Sequence, residues 1–174
     1  MMRILTAGIL AVCAYFLWQY YFSAPAPKSK HPIDRLLLYM EDHGNEILGP
    51  LPSGEKDVSP PPAYAHQLSV LREDIKAMQA TASPREEPRY SAAIKLCDAL
   101  ISASKERDKH IVRINDTRAN TKPSPLAINP EQDLAERLAF FEKGVVRSWN
   151  EASRRMHKVI DGYYVQLRKS GHPE

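Results

Sequence analysis

Glycine is scarce in this chain, 7 of 174 residues, and no stretch alternates apolar and polar residues with period two. Hairpin turns draw on glycine and half-buried strands on that alternation, so the two absences point away from β-sheet and toward an all-α fold. Cysteine is equally rare: Cys13 and Cys97 are the only two, and Cys13 lies inside an apolar run, so no disulfide framework staples the rest of the chain. A strong charge of one sign is missing as well, the formal net charge being +3. Without a dominant positive field or an aromatic platform among the basic residues, a nucleic-acid partner is not expected.

Motifs that carry catalysis or cofactor binding are also lacking. The histidines at 31, 43, 66, 110, 157 and 172 are scattered singly, with no H-E-x-x-H and no Glu-x-x-His pair. Glu106 and His110 stand one helical turn apart, yet two ligands leave a metal's coordination shell half empty, and no metal or other cofactor is expected. Gly49 to Lys56 imitates a phosphate-binding loop, but Glu55 stands where the lysine belongs, the actual lysine, Lys56, is followed by Asp57 rather than a hydroxyl, and Pro50 and Pro52 remove backbone donors. No G-x-S-x-G elbow occurs, and Cys97 falls on an apolar stripe that suits an inert thiol. The chain reads as a non-enzyme with no catalytic residue to name.

One long apolar run is present. Residues 4–22 carry no charge and come close to the roughly 20 needed to cross a bilayer core as a helix. The run exceeds the h-region of a signal peptide and ends in Trp18, Tyr20 and Tyr21, rings suited to the headgroup level. A retained signal-anchor over 1–24 is therefore expected, giving a single-pass membrane protein. The short lead before Arg3 resembles a secretory start and favours a body on the exported side, periplasmic or extracellular. Lys28, Lys30 and Arg35 supply the opposing argument for a cytoplasmic body.

Proline then divides the body. Pro25, Pro27, Pro50, Pro52 and Pro60–Pro62 mark residues 25–63 as a stiff stalk, within which Ile33, Leu36, Leu37 and Met40 predict a short helix over about 33–43, stopping near Gly44. A helical bundle is expected over 64–172. Tyr64, Leu68, Leu71, Ile75, Met78 and Ala82 form a coiled-coil-like seam. A third helix is expected over about 89–116, announced by Ser83, Pro84, Glu86 and Pro88. The fourth has the best start signal, Asn129-Pro130-Glu131-Gln132, and is expected to run to Ser170 with Gly171 as its stop. The whole is an N-terminal transmembrane helix followed by a small antiparallel bundle of three long helices and one short one.

The last helix places Leu134, Leu138, Phe141, Val145, Trp149, Ala152, Met156, Val159, Tyr163 and Leu167 on one side, and about 40 residues make it roughly 60 Å long. It outruns its expected neighbours. The stretch Met156, Val159, Tyr163 and Leu167 is therefore a candidate interaction surface for a homodimer or another membrane or envelope protein. The alternative cover is the short helix at 33–40, drawn by its acidic charge toward Arg154, Lys158 and Arg168. A basic ridge of Lys143, Arg147, Arg154, Lys158 and Arg168 lies opposite the apolar side. On the third helix Ser104, Arg107 and Asp108 interrupt the apolar stripe, forming a candidate polar layer. Charge is uneven along the body: residues 33–58 carry −4 and residues 85–122 carry +3, counted from their Asp, Glu, Lys and Arg. Asn115-Asp116-Thr117 fits a glycan acceptor pattern. These features support a structural or protein-interaction module at the membrane, with a ligand-binding or sensory bundle as the second reading.

Overall fold

The computed structural model describes residues 31–51 and 63–170, and among them the chain is helical with no strand. Four helices follow in order: α1 Pro32–Leu48, α2 Tyr64–Gln79, α3 Glu87–Asn120 and α4 Pro130–Lys169. No helix among the described residues is long and apolar enough to cross a membrane, and the span expected at 4–22 lies outside them.

Local chemistry sets the ends of these helices. The Nδ1 of His31 accepts from the Ile33 backbone at 3.3 Å and Pro32 fills the first turn, so α1 starts where an amide donor is not needed. It does not stop at Gly44. That glycine is buried within the helix, where an added Cβ would stand 3.0 Å from the Met40 Sδ, so its missing side chain makes room for Met40. The stop comes at Gly49, before Pro50, which disfavours the helical region for its predecessor. A Cβ on Gly49 would lie 2.2 Å from the Asn45 carbonyl oxygen, so no larger residue fits this exit. The Asn129 side chain caps α4 by accepting from the Gln132 backbone at 3.3 Å. The Gln132 side chain bonds forward to Glu136 rather than back to the cap, so half of the expected capping box forms.

Pairings along the helices give an up-down-up-down arrangement. Asp34 of α1 faces Arg89 at the start of α3, and Leu51, just past α1, packs beside Ile111 and Ile114, so α1 runs parallel to α3. Against α2 it runs antiparallel, through Arg35 to Asp74 (3.0 Å) and Tyr39 to Gln67 (2.9 Å). Against α4 it is antiparallel too, with Glu41 meeting Tyr164 and Arg168 while the Leu48 carbonyl meets Ser153. Helices α2 and α4 lie diagonally across the body, with no pair of Cα atoms within 8 Å.

The core has two parts. The larger joins all four helices through Ile33, Leu36, Leu68, Ile75, Leu96, Leu100, Ile160 and Leu167, among others. The smaller holds Leu51, Ile111, Ile114, Val145 and Trp149 between α3 and α4, with Met156 touching both. Beyond the ends of α1 and α2 the two long helices continue as a hairpin arm. The loop from Thr121 to Asn129 lies at the tip of that arm, at the opposite end of the molecule from His31.

Residues 32–48 therefore differ from the short helix expected at 33–43. Ile47 and Leu48 add a further apolar turn, and the helix is a full member of the bundle rather than a stalk passenger.

Candidate functional site

Three places concentrate polar or exposed chemistry. The first is the junction where the four-helix body gives way to the arm. Here Tyr64 starts α2 and donates its hydroxyl to Glu46 of α1, while His43 lies against both Tyr39 and Tyr64, with ring centroids 4.8 and 5.3 Å apart. Tyr39 donates to Gln67 at 2.9 Å. Burial pushes the Tyr64 phenol up to about 12, helped by its bond to Glu46 and opposed by the Arg107 guanidinium. Tyr39 is raised by burial as well, and by the charges of Tyr64 and Glu46. The rings fill one another's spaces, and both hydroxyls are engaged. This cluster fastens α1 to α2. An i, i+4, i+7 run of Tyr39, His43 and Glu46 was its only sequence signal.

The polar layer on α3 lies at the same level. Ser104 is 1% exposed, and its Oγ has no hydrogen-bond partner. Arg107 and Asp108 follow one turn later, each half-buried, and the Arg107 Nε is buried without a partner. Burial raises the Asp108 carboxyl, and Arg107 opposes the shift. No carboxylate among the described residues forms an ion pair with Arg107, although Arg35, Arg72, Arg89 and Arg118, the other half-buried arginines, all have one.

The second place surrounds Trp149, which is fully buried and donates Nε1–H to the Gly49 carbonyl at 2.8 Å. Ser153 donates to the Leu48 carbonyl at 2.5 Å. Carbonyls at a helix C-terminus have no partner inside the helix, so these two α4 side chains cap α1. His110 packs on the Trp149 ring at 5.6 Å, with Nδ1 2.9 Å from the Glu106 carbonyl and Nε2 3.4 Å from the Ser148 hydroxyl. A carbonyl can only accept, so Nδ1 carries the proton and Nε2 accepts from Ser148. Ser148 and His110 thus stand in nucleophile and base order, but the third group is the Glu106 backbone carbonyl, its carboxylate lying 3.8 Å from Nδ1. Ser148 and His110 both lie within helices, where the neighbouring backbone N–H groups are consumed by the helix ladder rather than free to hold an oxyanion.

The third place is the predicted association stretch on α4, and here the structure corrects the expectation. Leu167 is 1% exposed and belongs to the main core, Met156 and Tyr163 are partly buried against it, and only Val159, 51% exposed, faces solvent. Helix α1 covers the stretch, with Glu41 bonded to Arg168 and Tyr164. The buried seam runs through Trp149, Ser153, Met156, Ile160, Tyr163 and Leu167, so Ser153 and Ile160 replace Ala152 and Val159. Ser153 can enter because its hydroxyl has a carbonyl to bond. In the basic ridge, Arg147 pairs with Glu151 at 3.3 Å and Arg168 with Glu41, while Arg154 and Lys158 are exposed.

Large apolar side chains are exposed on the arm: Leu126 and Ile128 in the tip loop, and Phe140 on the side of α4 away from α3. Cys97 is buried, and burial pushes its thiol up to about 12, a poor thiolate source. Asn115 is part-buried in the last turns of α3 and the Thr117 hydroxyl bonds back to Arg113, a helical setting unlike the surface loop a glycan acceptor requires. A shallow cleft of about 340 Å³ beside the α2–α3 turn is lined by Lys76, Gln79, Ala82, Pro84 and Glu87. Among the described residues no group of three His, Cys, Asp or Glu side chains is placed to hold a metal. Comparison with family models, curated proteins and solved structures gives no match.

Proposed function

We propose that the chain is a membrane-tethered, non-enzymatic interaction module, with its helical body presenting the α3–α4 arm to a protein partner. The observation that carries this reading is the direction of the arm. The chain leading from residues 4–22 joins the body at His31, whereas the exposed Leu126, Ile128 and Phe140 belong to the far half of the molecule. A helix of 40 residues rises about 60 Å, so a tether at one end holds the tip far from the bilayer. Fixed separation of an anchor from an apolar tip suits docking, because exposed apolar side chains gain by burial against a partner.

The test is site-specific photo-cross-linking in cells from Ile128 and Phe140, alongside alkaline carbonate extraction of the full chain. The reading expects a membrane-retained chain that forms discrete protein adducts from the arm and none from Asp42 on α1. A carbonate-soluble chain without arm adducts would overturn it.

The ligand-binding reading is favoured by one observation, the partnerless Ser104 Oγ and Arg107 Nε. Arg107→Met separates the two uses of this layer. If the guanidinium only suffers poor satisfaction, the variant gains stability in urea, since an unpaired polar group at a core position costs free energy. A variant less stable than the wild-type chain as purified, with the difference lost once small anions are dialysed away, would favour a bound anion instead.

A further inference from the structure

The solvent face of α4 is ordered by charge about a single aromatic. Asp133, Glu136, Phe140, Lys143 and Arg147 step by 3, 4, 3 and 4 along the helix, the spacing of a helix–helix seam. This seam is distinct from the one that packs on α3, where Val145 and Trp149 are buried. Phe140 is 75% exposed, Glu136, Lys143 and Arg147 are exposed, and a Cβ on Gly144 would meet nothing within 4 Å. Among the described residues only the tip loop reaches this face over those turns, at Asp133, and Phe141 of the same helix stands edge-on to Phe140 with ring centroids 5.8 Å apart. Acidic residues lie on one side of Phe140 and basic residues on the other.

We infer that this face docks on a second copy of the same chain, α4 against α4, antiparallel about a two-fold axis at Phe140. In that arrangement a residue some number of positions before Phe140 faces the residue the same number after it in the other copy. Asp133, seven before, meets Arg147 of the partner subunit, and Glu136 lies diagonally beside Lys143 of the partner subunit. Two-fold symmetry repeats both contacts, and the two Phe140 rings meet at the centre. A parallel pairing would set like charges together, so the charge order selects the antiparallel one. Gly144 leaves room for close backbone approach. Within the chain Asp133 already accepts from the Ser124 backbone at 2.6 Å and faces Arg137 at 3.9 Å, and Arg147 reaches Glu151. Glu136, which among the described residues accepts from Gln132, and Lys143 therefore carry most of the discrimination. The inference rests on the interaction-module reading and names its partner. Tethering to one bilayer would favour even a weak contact by raising the effective concentration.

The test uses the full chain in detergent with Cys13→Ser. A cysteine at Phe140→Cys should cross-link to its own copy, whereas Val165→Cys, on the same face but far from the axis, should not. Sedimentation equilibrium should show Glu136→Lys and Lys143→Glu each raising the dimer dissociation constant about ten-fold. The double variant, which restores opposite charges across the axis, should recover wild-type affinity. Unchanged helix content in all three excludes unfolding as the cause. A strictly monomeric wild-type chain, or association indifferent to both reversals, would overturn the inference. The photo-cross-linking result could still stand with another protein as partner.

Discussion

Trp149 joins two kinds of stabilisation in one side chain. Its ring fills the smaller core cluster and its N–H caps the C-terminus of α1, a contact between residues 100 apart in sequence. Trp149→Ala should cost about 3 to 5 kcal/mol in chemical denaturation, whereas Phe140→Ala, on the open face, should cost almost nothing in a monomer. Equal effects would mean the helix is rotated from its described phase. Ionisation supplies a second residue-scale test. Tyr64 has its phenol pushed up to about 12 and Tyr39 is raised too, so below pH 10 both states of the chain hold these protons and the contribution is complete. Between about pH 10 and 12 the unfolded chain releases protons that the folded chain keeps, and stability falls as pH rises. Phenolate absorbance should therefore show part of the 8 tyrosines ionising only as helix content is lost. Titration of all of them near pH 10 in a folded chain would contradict the packing of α1 on α2.

At the scale of elements, α4 is both the most legible helix and the one read least well on its buried side. Its start was written in Asn129 and Pro130, and it runs to Lys169 beside the expected Ser170. Its seam was less legible, because an apolar criterion selects Val159 and passes over Ser153, whose burial depends on a Leu48 carbonyl supplied by a distant helix. The same cause hid the extent of α1. Gly44 and the following polar residues resemble a stop, and only the contacts of Ile47 and Leu48 with other helices reward a further turn. Ser104, Arg107 and Asp108 could be picked out as exceptions to a stripe, but the missing partners of the Ser104 Oγ and the Arg107 Nε are a fact of three dimensions. One prediction belongs to α4 as a helix. Gly162 is exposed and an added Cβ would meet nothing within 4 Å, so Gly162→Ala should stabilise the fold by about 0.5 to 1 kcal/mol, measured in urea. A loss instead would imply that something packs there.

For the molecule as a whole, the excess length of α4 is resolved by two neighbours rather than one. Helix α3 follows it through the arm and the body, and α1 closes the remaining side of the body, bringing the acidic Glu41 onto Arg168. Among the described residues that closure covers the Met156–Leu167 stretch apart from Val159 and leaves the outer face of α4 and the arm exposed. It also makes α1, which follows the apolar N-terminal run in sequence, part of the body's core. Hydrogen exchange read by mass spectrometry on the full chain tests this closure most directly. Amides of residues 36–48 should open together with those of residues 96–104, as one cooperative unit at the global unfolding free energy. Near-unprotected exchange over 36–48, with 96–104 and 149–167 still protected, would show that α1 does not close the bundle and would contradict the account.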